Sequence, residues 1–273
     1  MSDATAKMPT PPDPGQWGDL SVRVTSGALM ALVGIAGIVM GGVWFQMMTV
    51  FVTAVMVWEL WMMIEPEKPT PGMLLAALVG SVMSGQLVMG AGLWLALFAV
   101  VPVAGALTLR RERLTFFVFA LGIQLAGWGL VTFRAEFGFK YLLWLVLVVI
   151  VTDIFGYFAG RTFGGPKFWP KVSPKKTWSG TTAGWVGAAM VGAGFAAFTA
   201  AGPSLVVISV LLSFASQMGD IAESALKRRM KVKDSSTLIP GHGGLFDRFD
   251  ALLGASLFML LVVLVFDVPG VAF

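Results

Sequence analysis

Residues 142–151 of this chain read LLWLVLVVIV, ten positions with no charged, amide or hydroxyl side chain. A helix crosses the hydrocarbon of a bilayer with about 20 mainly apolar residues. Nine segments meet that description: 27–43, 45–64, 71–89, 90–109, 114–133, 141–158, 182–200, 203–218 and 251–266. A closed barrel, the only other spanning structure, alternates apolar and polar positions, and these runs do not. The chain is 57% hydrophobic and only 12% charged, about half the charged share of a soluble domain. The expected fold class is an all-α integral membrane protein of about nine transmembrane helices.

Basic residues collect on the cytoplasmic side of membrane proteins, so their positions predict orientation. All but two of the 19 Lys and Arg fall in the N-terminal tail or in every second connection; Arg134 and Lys140 are the exceptions. That pattern predicts a cytoplasmic N-terminus, and an odd number of spans then puts the C-terminus from Asp267 onward outside; with no organellar address, the expected location is the plasma (bacterial inner) membrane. Residues 1–26, rich in proline at the start, read as a largely disordered cytoplasmic tail without the basic-then-apolar layout of a cleaved signal. Residues 27–140 form an N-terminal set of spans. Residues 141–273 form a C-terminal catalytic region with two long cytoplasmic loops, 160–181 and 219–250. Gly184, Ala188, Gly192, Ala196 and Ala200 recur every four residues, a small-residue stripe that lets a helix approach closely, in a homodimer or within the chain.

There is no cysteine and one histidine, which excludes thiol chemistry, disulfides and Cys-ligated zinc and gives little support to a histidine relay. Polar chemistry concentrates near the predicted inner boundary instead. Asp220, Glu223, Ser224, Lys227 and Lys231 recur at spacings of three and four, one face of a helix. Asp247 and Asp250 open the last span. Carboxylates at a membrane boundary are costly and tend to be functional. Mg²⁺ takes one or two carboxylates and leaves its other positions to water and substrate phosphates. Asp220, Glu223, Asp247 and Asp250 are the candidate ligands, with room for a second cation. Pro240-Gly241-His242-Gly243-Gly244 is a turn whose amides suit an anion. Other readings stay open: Asp247 and Asp250 as complements to a helix N-terminus, Asp220 and Glu223 as partners of Lys227, Arg110, Arg111 and Arg113 as topology or lipid-headgroup residues, and Glu59 as either a helix contact or a site residue.

The run S-x-x-K-R-x-x-x-x-K-D followed by H-G-G-x-x-D-R-x-D, here Ser224, Lys227, Arg228, Lys233, Asp234, His242, Gly243, Gly244, Asp247, Arg248 and Asp250, resembles the signature of the phosphatidate cytidylyltransferase family. Ser173-Pro174-Lys175-Lys176-Thr177-Trp178 is similar to a second family motif, and Asp153 and Tyr157 stand where the family tends to have polar residues. The motifs cover residues 153–250. Ser179 departs from the family, which often has an acidic residue there, so no metal or base role is assigned to it.

The resemblance implies an enzyme at the cytoplasmic interface that joins CTP to phosphatidic acid, giving CDP-diacylglycerol and pyrophosphate in phospholipid biosynthesis. It implies catalytic roles for Asp220, Asp247, Lys227 and Arg248. Substrate contacts are implied for Ser173, Lys175, Lys176, Thr177, Ser224, Arg228, His242, Gly243 and Gly244. Partners are CTP, phosphatidic acid and membrane lipid, and no nucleic acid is expected. The alternatives are a CTP-dependent transferase or kinase acting on another membrane lipid or a polyprenol, and a transporter. A transporter needs polar residues lining a path at mid-membrane depth, and the centres of these spans are almost free of them.

Overall fold

The computed structural model describes residues 16–89 and 93–265. Its helices are α1 (Gln16–Met40), α2 (Gly42–Ile64), α3 (Pro69–Met89), α4 (Val100–Thr108), α5 (Arg113–Glu136), α6 (Gly138–Phe163), α7 (Trp178–Phe198), α8 (Ser204–Met230) and α9 (Phe246–Val265). Seven of them are long and apolar enough to cross a membrane; the apolar helices Val24–Met40 and Ala96–Thr108 are shorter. The chain is an all-α, multi-pass membrane protein.

Three features depart from the sequence reading. The first helix begins at Gln16 rather than near residue 27, so residues 16–26 are helical and not a disordered tail; residues 1–15 and the C-terminus from Asp267 lie outside the described residues. The expected span 90–109 is broken into a 3-10 segment, Leu93–Ala99, that runs into α4. Pro102 explains part of this: it has no N–H to return to the carbonyl four residues earlier. That carbonyl, on Phe98, accepts from the buried Gln124 amide of α5 at 3.4 Å. Finally, the loop 160–181 holds an antiparallel hairpin, β1 (Lys167–Trp169) and β2 (Ser173–Thr177), with Lys167 opposite Thr177 and Trp169 opposite Ser173.

Two apolar clusters make the core. One joins α5, α6, α7, α8 and α9 around Tyr141, Trp144, Leu145 and Leu212. The other joins α2, α3, α4 and α5 around Val57, Trp61, Val79 and Phe116, and takes in Leu226 and Phe246. Buried polar side chains between α6, α7 and α8 bond to one another. Trp144 donates to Ser209 at 2.9 Å, Thr152 to Ser213 at 2.8 Å, and Trp185 to Gln217 Oε1 at 3.1 Å, while Gln217 donates to the Thr181 carbonyl. In lipid such bonds hold helices together.

The stripe faces inward on α7 at Gly184, Ala188 and Gly192, while Ala200 lies past the helix and is exposed. A Cβ on Gly192 would collide with Ser209 of α8, and one on Gly184 would crowd Gln217 and Thr152. Its buried residues therefore serve packing within the chain. Backbones approach most closely at Gly219 and Gly254, where a Cβ on either glycine would overlap the carbonyl of Asp250 or Ala215 on the facing helix. That crossing sets α8 and α9 side by side one residue from Asp220 and four from Asp250. Contacts from Glu59 to Ser236, Glu112 to Arg229 and Lys176 to Asp220 tie three connections to α2 and α8 at one end of the bundle. Arg134 closes the opposite end, donating from Nε to the Ile38 carbonyl at 3.0 Å.

Candidate active site

α8 continues without a break from its apolar half through Asp220, Glu223, Ser224 and Lys227 to Met230. It ends at Lys231 in the left-handed conformation (φ 59°), with the Val232 amide returning to the Lys227 carbonyl. One face of the helix therefore carries an acid, an acid and a lysine at successive turns, as the spacing predicts. α9 opposes it, starting one residue before Asp247.

The charged residues divide into two groups. In the first, Lys227 lies between Glu223, four residues back on α8, and Asp247 Oδ1 at 2.6 Å on α9. Asp247 Oδ2 accepts from the Ser235 amide (2.8 Å), the Ser235 hydroxyl (2.9 Å) and the Gly244 amide (2.8 Å). Asp247 thus accepts from an amide just ahead of α9 and holds Lys227; of the two acids read as partners of Lys227, Glu223 takes that role and Asp220 does not. Gly243 has φ +83°, and a Cβ there would lie 2.7 Å from Asp247 Oδ2, so the turn between α8 and α9 closes on the carboxylate only with glycine at this point.

In the second group Lys176, from β2, pairs with Asp220 at 2.5 Å. Ser224 donates to Asp220 Oδ1 at 3.3 Å. Asp250, buried, accepts from the Ala251 amide at 2.8 Å and lies within electrostatic range of both Asp220 and Asp153 of α6. Asp153 in turn feels Asp220 and Lys176. Asp220 and Asp247, expected to share a cation, therefore hold different lysines, and the acid that joins Asp220 from α9 is Asp250.

The remaining predicted residues fall around these groups. Thr177 caps α7, its hydroxyl accepting from the Gly180 amide at 3.2 Å. Lys175 and Arg228 are exposed. Arg248 donates twice to the His242 carbonyl, at 2.9 and 2.6 Å, and so braces the loop. The His242 ring meets the Ser26 hydroxyl of α1 at 2.8 Å through Nδ1, a loop contact. Ser179, the departure from the family pattern, donates to the Gly164 carbonyl and meets Thr177 at 3.0 Å. Tyr157 accepts from Arg161 at 2.8 Å, on the exposed side of α6.

Two residues outside the predicted site prove central. Asp153 joins the second group; in the sequence it stands where the resembled family tends to have a polar residue, as a charge inside an otherwise apolar span. Glu59, buried in α2, accepts from the amides of Leu245 (2.9 Å) and Phe246 (2.7 Å) and from the Ser236 hydroxyl (2.6 Å). By contrast, a largely apolar groove of about 500 Å³ beside α2 and α3, lined by Val43, Met47, Phe51 and Leu87 among others, lies nearer the far end of those helices and holds no charged side chain.

Among the described residues no three His, Asp or Glu side chains converge closely enough to cage a metal. The donor set suits a different arrangement. Two lysines face five carboxylates, leaving the site net negative, and Asp220 keeps 31% of its side-chain surface exposed. Oxygen donors with open positions of this kind fit Mg²⁺, which completes its shell with water and phosphate.

The sequence matches the model of the cytidylyltransferase family over residues 21–266. Over 161 residues, 57% of this chain, it is 42% identical to a Brucella suis protein named phosphatidate cytidylyltransferase. It is 39% identical over 136 residues, 48% of the chain, to the Bacillus subtilis protein of the same name, and 42% over 123 residues, 44% of the chain, to that of Staphylococcus saprophyticus. The matching stretches span 60%, 50% and 47% of those relatives.

Proposed function

This chain belongs to the cytidylyltransferase family, and from that premise we propose that it transfers the cytidylyl group of CTP to phosphatidic acid, releasing pyrophosphate. The observation that carries the reading is the open acidic group of Asp220, Asp250 and Asp153 beside Lys176, at the end of an otherwise apolar bundle. A lipid phosphate and a soluble nucleotide can both reach such a boundary without the lipid leaving the bilayer. With nine spans and a cytoplasmic N-terminus, as the basic residues favour, that end faces the cytoplasm of a bacterial inner membrane.

A phosphate oxygen of phosphatidic acid attacks the α-phosphorus of CTP; the new P–O bond forms as the bond to the β-phosphate bridge breaks and pyrophosphate departs. The nucleophile is already anionic near neutral pH, so no side chain has to remove a proton. The barrier is repulsion between two polyanions and the alignment of attack and departure, which positioning and charge lower. Lys176, Lys175 and Arg228 supply mobile positive charge to the phosphates. Asp220 and Asp250 would hold Mg²⁺, with a second cation near Asp153. Bound there, the ion would neutralise phosphate charge and polarise the leaving group. Lys227, held by two carboxylates, fixes α8 against α9 beneath the reacting groups.

The test is incorporation of radiolabelled CTP into lipid by the purified protein, with phosphatidic acid, another lipid phosphate or a polyprenol phosphate, each with and without Mg²⁺. Label in CDP-diacylglycerol only with phosphatidic acid and Mg²⁺ is expected. Label in a different lipid would replace the substrate assignment.

A further inference from the structure

Glu59 stands upstream of every motif residue, in a helix whose neighbours are almost all apolar. A buried carboxylate in such a place is costly unless its oxygens are well supplied with donors. No lysine or arginine pairs with it among the described residues. Its donors all come from one corner, where the α8–α9 loop turns into α9. Oε1 takes the Ser236 hydroxyl and the Leu245 amide, and Oε2 takes the Phe246 amide and, at 3.4 Å, the Ser235 hydroxyl. Ser235 Oγ lies 2.9 Å from Asp247 Oδ2 as well, and Asp247 holds Lys227. A Cβ on Gly244 would collide with both Glu59 and Ser235. The loop thus presses its backbone onto a carboxylate supplied by the other half of the chain.

We propose that Glu59 is a positioning residue for the transfer reaction: it clamps the first turn of α9 and, through Ser235, sets where Asp247 and Lys227 stand beside the open acidic group. The inference rests on the function proposed above. Two features make it specific. The amides of Leu245 and Phe246 can only donate, whereas the serine hydroxyls can turn and accept. Glutamine at position 59 keeps the shape but offers one oxygen, so its NH₂ must face one of those two amides.

The experiment uses the full chain in lipid nanodiscs, as wild type, Glu59→Gln, Ser235→Ala and the double variant. Turnover per folded molecule is measured together with amide hydrogen exchange. Glu59→Gln is expected to lower kcat roughly tenfold to hundredfold, the scale of a small misplacement of reacting groups, with KM for CTP within about threefold. Exchange should rise at residues 235–247 and stay unchanged in the β1–β2 hairpin. Ser235→Ala should lose less, and the double variant should be no worse than Glu59→Gln alone, because both act on one chain of contacts. Wild-type kcat per folded molecule in Glu59→Gln, or losses that multiply in the double variant, would overturn the proposal. If wild type makes no CDP-diacylglycerol, the function assigned above fails, and exchange at residues 235–247 decides the clamp alone: unchanged protection sinks it.

Discussion

The two charged groups share α8 and stand about one turn apart, yet they are built oppositely. Around Lys227 the side chains are nearly sealed, with Glu223 at 1% and Asp247 at 5% exposure, and Asp247 takes four donors. Around Asp220 the ion pair is more open, with Lys176 at 24% and Asp220 at 31% exposure; Asp250 beside it is buried, and three acids gather about one lysine. A network this sealed has little room for a ligand, although the buried Glu223 Oε1 has no hydrogen-bond partner among the described residues. An open one that is short of positive charge has both room and reason to take cation and phosphate. The comparison separates residues that hold the site together from residues that meet substrate, although all of them lie within one signature.

The contrast breaks most visibly by substitution at its two aspartates. Asp220→Asn should cut CTP incorporation by about three orders of magnitude, on the scale of losing a transition-state charge contact. Its thermal unfolding should stay close to wild type, because the side chain is partly solvated. Asp247→Asn should also lose activity, but by a different route. An amide cannot accept from Lys227 and from two backbone amides at both ends, so a buried pair is left broken at a cost of about 3–5 kcal/mol. A markedly lower unfolding temperature in the same detergent is expected. If Asp220→Asn proves the more destabilising of the two, the division into open and sealed groups is wrong.

Much of this division was hidden in the sequence. Apolar runs reveal helices because lipid demands them, and the three-and-four spacing of Asp220, Glu223, Ser224 and Lys227 reveals a face. Neither reveals which lysine an aspartate will hold. That choice is made by the α8–α9 crossing and by a hairpin that carries Lys176, set by glycine contacts and a register that no periodicity encodes. Glu59 was legible only as a charge in an apolar helix, and Asp153 as such a charge at a position where the resembled family tends to be polar. The break before α4 was signalled by Pro102, but its repair by Gln124 depends on α5 lying alongside.

The crossing itself offers a milder test. Gly219→Ala puts a methyl group against the Asp250 carbonyl, and α9 must shift to accept it. Overpacking of this sort costs about 1–3 kcal/mol. Because Asp250 lies at the contact, activity should fall more than stability does, and the Mg²⁺ concentration needed for half-maximal rate should rise. Gly80→Ala serves as the control, since a Cβ there meets nothing within 4 Å. Equal effects from the two substitutions would mean that the crossing does not set the open group.

A third kind of ion pair sharpens the comparison by having neither property. Glu112 precedes α5 in the left-handed conformation (φ 57°). Its Oε2 accepts from Thr115 at 2.6 Å and from Arg229 at 2.8 Å, and those two bonds hold its carboxyl below the usual carboxylate range. A carboxyl depressed on folding contributes stability above its unfolded pKa and loses it as pH falls through the folded value. Arg229 is 64% exposed, however, and screened pairs of this kind are worth about 1 kcal/mol or less. Glu112→Gln should therefore lower the unfolding temperature slightly at neutral pH, with the gap to wild type closing as pH drops below the ordinary carboxylate range, and narrowing in high salt. Turnover should not change. A large loss of activity here would mean that Arg229, and not only Arg228 beside it, takes part in the reaction.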